Sequence, residues 1–207
     1  MKKLFTGLAL IAVASIAHAE NEQTNGFSYD YIQGAYQYLK YKDTIDGTSI
    51  SANASAYVVD VSKALNENIF MNASYAYIKS SSMTIDGTSY DVGITGNGGL
   101  VNIGYRFPLG KETDFNVQLG YRSLQRKATY SGTTLFSETA NTYPVTAQIR
   151  QKISSSVELE AAYTREDGDN DWYIGLGFEV AKKVNLFGAI APSSTGDVYI
   201  LGVRYNY

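Results

Sequence analysis

Residues 197–207 read D-V-Y-I-L-G-V-R-Y-N-Y. Tyr199, Leu201, Val203, Tyr205 and Tyr207 occupy every second position, and Ile200, Gly202, Arg204 and Asn206 lie between them. Successive side chains of a strand point to opposite faces. As a strand, this stretch has one wholly apolar or aromatic face and a second face with a glycine, an arginine and an asparagine. In a water-soluble fold the apolar face would meet a core. In a strand that crosses a bilayer it would meet lipid, and the other face would line a lumen. The rest of the chain decides between these two.

At the other end, Lys2 and Lys3 precede an apolar run over residues 4–17, and Ala17-His18-Ala19 follows. Small residues at the two positions a signal peptidase reads make residues 1–19 a secretory signal peptide, cleaved after Ala19. The run is shorter than the ~20 residues a helical span needs. Cleavage removes two positive charges, taking the formal net charge from −3 to −5, and removes His18, the only histidine. There is no cysteine, so disulfides do not stabilise the exported chain and no lipid anchor follows the signal. Stability must come from packing or from closed strand pairing. No nucleic-acid partner is expected of an acidic exported chain.

Between the two ends, alternating segments of about ten residues recur, each bounded by turn chemistry. Residues 27–41 form the first, tyrosine-rich and of unclear parity: Tyr29 and Tyr31 share one face, Tyr36 and Tyr38 the other. Residues 51–63 set Tyr57, Val59 and Val61 against Asp60 and Ser62. Further segments follow at 69–79, 101–107, 115–122, 142–153, 157–164, 172–180, 184–191 and 197–207. Connections after the second, fourth, sixth and eighth segments are short. Those after the first, third and fifth are longer and rich in Ser, Thr, Gly and Asp. This asymmetry fits short periplasmic turns and longer outer loops. The expected fold is all-β: a single antiparallel up-and-down transmembrane β-barrel over residues 20–207, with about ten strands and eight as the alternative. Closure is required, because lipid offers no hydrogen bonds to an open edge. A β-sandwich would carry Lys, Glu and Thr on its second face. Here that face pairs glycines with Arg106, Arg122, Arg150 and Arg204, which suits a narrow lumen filled by side chains.

The phrase T-I-D-G-T-S occurs twice, at residues 44–49 and 84–89. Asp-Gly between β-formers signals a type I′ hairpin, so both copies are expected at the tips of outer hairpins.

The Ala-His-Ala signal end, the first-strand phrase F-S-Y-D-Y-I-Q-G-A-Y at 27–36 and the terminal pattern ending in Tyr207 resemble the small Gram-negative outer-membrane β-barrel proteins of the OmpA-barrel, OmpX and porin-family type. The resemblance implies an outer-membrane location. It implies that Tyr199, Leu201, Val203, Tyr205 and Tyr207 act as the signal read by the barrel-assembly machinery, after escort by periplasmic chaperones. A monomer is expected, surrounded by outer-membrane lipid and lipopolysaccharide.

Without His18 the chain cannot build a Ser-His or Cys-His nucleophile or an imidazole metal site, so a non-enzymatic protein without cofactor or metal is expected. Arg106, Arg122, Arg150, Glu158, Glu160, Glu179 and Arg204 fall on inward parity and form the expected lumen ion network. Within it, Arg150 is expected opposite Glu158, Gln148 opposite Glu160, and Asn116 close to Arg150. The acidic run 166–171 lacks the glycine and distal glutamate of an EF-hand loop and reads as a solvated loop. Residues 93–99 read as a glycine-rich loop. Lys40, Lys42, Lys79, Arg126, Lys127 and Arg165 fall near the outer rim and form a candidate lipopolysaccharide-phosphate contact. The leading function is a structural or surface-interaction role with the lumen largely filled by Arg and Glu side chains. The alternative is a small-solute channel.

Overall fold

The computed structural model describes residues 27–45, 47–80, 82–193 and 196–207. The expected signal peptide, residues 1–19, lies outside them. The strands in chain order are β1 (Tyr31–Ile45), β2 (Thr48–Ala64), β3 (Ile69–Ser80), β4 (Met83–Ile85), β5 (Thr88–Tyr90), β6 (Val92–Pro108) and β7 (Thr113–Tyr130). Then follow β8 (Thr133–Thr142), β9 (Val145–Lys152), β10 (Val157–Glu166), β11 (Asp169–Ala181), β12 (Val184–Ser193) and β13 (Gly196–Asn206). Ten of them close a ring in the order β1, β2, β3, β6, β7, β9, β10, β11, β12, β13, and β13 pairs back onto β1 from Tyr31↔Asn206 to Tyr41↔Gly196. All pairings are antiparallel. The ring satisfies the ladder on both edges of every member, as a bilayer requires.

Three strands stand outside the ring, at one end of the barrel. The β4–β5 hairpin lies against β2. Strand β8 continues the line of β9: β7 pairs β9 through residues 113–119 and β8 through residues 122–130. The break falls at Tyr143-Pro144, where Pro144 has no N–H to give the ladder and its carbonyl instead accepts from Gly120 N–H at 2.9 Å. The expected strand at 142–153 is β9, and a further strand, β8, which was not expected, precedes it and ends at Thr142. Residues 93–99, expected as a loop, lie inside β6.

Turn chemistry sets the two ends. Asp86 (φ 46°) and Gly87 (φ 81°), Ser131 (φ 47°) and Gly132 (φ 82°), and Asp167 (φ 50°) and Gly168 (φ 91°) each place two successive residues in the left-handed region, as a I′ hairpin needs. Gly47 (φ 81°) does the same at the first tip; Asp46 lies outside the described residues. The two T-I-D-G-T-S tips touch: Ser49 N–H donates to the Asp86 carboxylate at 2.8 Å, and Asp86 N–H donates to the Ser49 carbonyl at 2.9 Å. The opposite end carries the turns near Asn66, Lys111, Ser155 and Lys182; the additional strands β4, β5 and β8 all stand at the first end, as expected of the outer side, which leaves this one as the expected periplasmic side.

The outer wall has the layout of a membrane band. Tyr36, Tyr57 and Tyr77 share one cross-strand row, Tyr38 faces Tyr199, and Tyr163 faces Trp172. Towards the periplasmic end, Tyr105, Phe107 and Phe115 stack with centroids 4.7 and 5.8 Å apart. Between these belts Val59, Val101, Ile103, Leu201 and Val203 are exposed. So large an apolar surface has no place in water but suits a lipid face flanked by aromatic girdles.

Inside, the structure departs from the expected polar lining. The periplasmic half is polar, with Gln33, Asp60, Asn72, Asn116 and Gln148 buried there, and a smaller polar group, the Arg122–Glu166 pair, is buried near the outer end. Towards the outer end Leu39, Ala56, Val58, Ile78, Leu124 and Ile200 join one buried apolar cluster. The interior therefore has two tiers. The glycines expected to make room do so at close approaches: a Cβ on Gly104 would overlap the Phe70 ring, and one on Gly202 the Phe187 ring.

Candidate functional site: the polar tier of the lumen

The first structural surprise lies before β1. Residues 27–41 were expected as one strand, but pairing starts only at Tyr31. Residues 27–30 turn into the lumen instead, with Phe27 1% and Tyr29 2% exposed. The Phe27 ring lies 4.5 Å from the Arg150 guanidinium. The Tyr29 ring packs on Phe70 at 4.3 Å and lies 5.1 Å from the Arg106 guanidinium. The Tyr29 hydroxyl donates to Asp114 at 2.7 Å and accepts from Asn116 at 3.2 Å. Asp30 anchors the segment at the wall: it accepts from Ala64 N–H at 2.9 Å and pairs with Lys63 at 3.0 Å.

Around this segment the wall groups interlock. Arg106 donates to Asp114 at 2.7 Å. Arg150 makes a two-pronged pair with Glu158, at 2.7 and 2.9 Å. Arg204 donates to Gln33 at 2.8 Å and lies 4.0 Å from Glu160. Glu160 accepts from Tyr173 at 2.7 Å, Gln148 donates to Tyr173 at 2.9 Å, and Asn116 donates to Gln148 at 2.9 Å. These hydrogen bonds link Glu160 on β10 to Arg106 on β6 in one chain that passes through Tyr29, with Arg204 on β13 within ion-pair distance of Glu160. Charge-assisted and cooperative bonds of this kind are strong where water is excluded.

The register corrects several expectations. Arg150 stands opposite Glu160 on β10, not Glu158, and Asp114, not Asn116, faces it from β7. Gln148 stands opposite Ala162, not Glu160. Arg150 reaches Glu158 diagonally, because a long side chain spans the two-residue offset. Glu179 is exposed at the periplasmic rim beside a register shift in β11, where it lines a polar cleft together with Arg150 and Glu158. Arg122 belongs to a separate group near the outer end, where it pairs with Glu166 at 2.6 Å and Thr142 donates to the same carboxylate. Glu166 therefore lies inside the wall and not in the solvated loop expected at 166–171. Asp114, Glu166 and Asp60, which accepts from Tyr31 at 2.9 Å, were missing from the expected network. Each sits on the inward parity of its strand, so alternation alone could have found them. Nothing in the alternation marks Phe27 or Tyr29.

Of the candidate rim, Lys40, Lys42, Lys79, Lys127 and Arg165 face outward and are exposed. Arg126 turns inward, 4.0 Å from Glu138. Lys79 and Lys127 both stand opposite Thr95 from its two sides. Arg165 lies on β10, well removed from them. Among the described residues no group of three or more Asp, Glu, His or Cys side chains could hold a metal ion.

The transport unit of the autotransporter AIDA-I from Escherichia coli is similar in fold, with a TM-score of 0.60 at 10% identity over 100% of this chain and 98% of that one. The translocator domain of the autotransporter NalP from Neisseria meningitidis gives a TM-score of 0.54 at 12% identity over 100% and 94%. The KdgM porin gives 0.45 at 13% identity over 86% and 99%. At such identities the likeness to the two autotransporter units is one of fold. A search of curated proteins finds no match. The family description "outer membrane protein beta-barrel domain" matches residues 6–190. The chain belongs to that family of outer-membrane β-barrels.

Proposed function

We propose that the protein is a non-enzymatic barrel of the outer membrane with a structural or surface-interaction role, exported through a cleaved signal peptide, and that its lumen is filled rather than conducting. The observation that carries this reading is the two-tier interior. The outer half is filled mainly by apolar side chains such as Leu39, Val58, Leu124 and Ile200, part of a buried cluster that continues down to Phe70 and Tyr29. Below it, Arg106, Arg150 and Arg204 are buried and each is bonded to a group on a neighbouring strand, and the Tyr29 hydroxyl, inside the bore, bonds to Asp114 and Asn116 on the wall. A ten-stranded ring leaves a lumen only slightly wider than the eight-stranded case that side chains fill. Carboxylate acid–base chemistry is disfavoured for the same reason: Glu158 and Glu160 each face an arginine.

The terminal strand serves assembly, with its apolar face presented to lipid and to the barrel-assembly machinery. Lys79 and Lys127, flanking Thr95 on the outer wall, suit phosphate groups of lipopolysaccharide. The small-solute channel remains the competing function, since the periplasmic tier is polar. Liposome swelling separates the two. Vesicles carrying the refolded protein should swell in arabinose no faster than protein-free vesicles. Swelling at a rate that rises with protein content and falls with solute size would establish the channel.

A further inference from the structure

Four consecutive residues that belong to no strand are each held by groups of the wall, the first two sharing Arg150. The Phe27 ring lies against Arg150 and against Lys152, whose amine is 5.1 Å away. Arg150 also reaches the Ser28 carbonyl at 3.5 Å. Tyr29 uses both its ring, on Phe70, and its hydroxyl, on Asp114 and Asn116. The Asp30 carboxylate takes Lys63 and the Ala64 N–H, and its carbonyl accepts from Tyr207 N–H at 3.0 Å. Backbone carbonyl, alternate aromatic rings and a following carboxylate are all engaged. This is how a groove reads an extended peptide, with main-chain bonds for affinity and pockets at alternate side chains for specificity. Beside the segment, a polar cleft lined by Ser28, Arg150, Lys152, Glu158 and Lys183 opens at the periplasmic end.

We propose that the periplasmic half of the lumen is a peptide-binding vestibule and that residues 27–30 are its resident ligand. The ligand class is an extended peptide with aromatic residues at alternate positions followed by an acidic residue. Tethering gives the resident segment a high effective concentration, so a free peptide enters only where that segment is weakened. The apolar tier above, including Leu124 and Ile200, stays in place when the segment leaves. The vestibule therefore opens to the periplasmic side alone.

The test uses the full chain, which has no cysteine of its own. Gln118 is 1% exposed and bonds to Asn116 directly behind Tyr29. A Gln118→Cys reporter should react slowly with an impermeant thiol reagent in the parent. It should react at least ~10-fold faster in Phe27→Ala/Tyr29→Ala. A synthetic peptide of residues 26–30 should restore protection saturably, and the same peptide with alanine at both aromatic positions should not. An Ala54→Cys reporter in the apolar tier should stay protected throughout. If the double variant does not insert, Asp30→Ala loosens the anchor without touching the rings and should accelerate labelling several-fold. Equal labelling with and without these substitutions, or no protection by the peptide, overturns the proposal. Conductance is not read in this assay, so the vestibule and the filled lumen stand or fall separately.

Discussion

The Arg150–Glu158 pair makes a quantitative demand. Arg150 is 0% exposed while the Glu158 side chain is 20% exposed, so the two halves should not cost the same to remove. Breaking one partner of a fully buried pair costs about 3–5 kcal/mol, because the other charge is stranded. Glu158→Gln keeps the shape and strands a guanidinium that has no access to water. Its cost should lie near the lower bound, about 3 kcal/mol. Arg150→Met keeps the volume and strands a carboxylate that water can reach at the periplasmic rim, which should cut the cost to about 1–2 kcal/mol. The double variant removes both charges and should cost less than the sum, with a coupling of about 1–2 kcal/mol. Reversible urea unfolding from vesicles measures this. Trp172, the only tryptophan, lies on the lipid face and reports insertion directly. If Arg150→Met costs as much as Glu158→Gln, or the effects simply add, the pair is solvated and the buried network is wrong.

Other perturbations probe other levels. Replacing Tyr207 with Asp should lower outer-membrane yield more than the same change at Asn206, because Tyr207 faces outward and Asn206 inward; equal yields would count against the terminal strand as an assembly signal. Leu201→Arg, at a side chain 66% exposed on the lipid face, should cost about 2–4 kcal/mol if it lies at the bilayer midplane, read by the same unfolding assay. A cysteine at Lys111 should resist an impermeant label in intact cells, whereas one at Ser131 should react; the reverse pattern would invert the topology. Gly104→Val should destabilise by about 2 kcal/mol or more through overlap with Phe70, and Phe70→Ala in the same chain should recover part of the loss.

Where the two faces of a strand contrast chemically, the sequence was legible. In residues 197–207 the alternation assigned Tyr199 to Tyr207 outward and Arg204 and Asn206 inward, as the structure has them. In β1 the contrast disappears, since Leu39 and Tyr41 face in while Tyr36 and Tyr38 face out. An apolar tier inside the barrel erases the pattern on which parity depends. Register was harder than parity: counting back from the turn at 154–156 paired Arg150 with Glu158, but the ladder begins at Lys152↔Glu158 and shifts every pair by two. The lumen segment was invisible for a different reason. Phe27, Tyr29 and Tyr31 continue the alternation of β1, and nothing local tells a strand from a strap of the same periodicity. Their difference lies in long-range partners such as Asp114 and Phe70.

Single-channel recording from the refolded wild-type protein in a planar bilayer tests the filled lumen most directly. The two tiers predict a barrel that inserts, shown by heat-modifiable migration of the same sample, yet passes little current. A large, steady conductance, unchanged in Arg150→Ala, would contradict it.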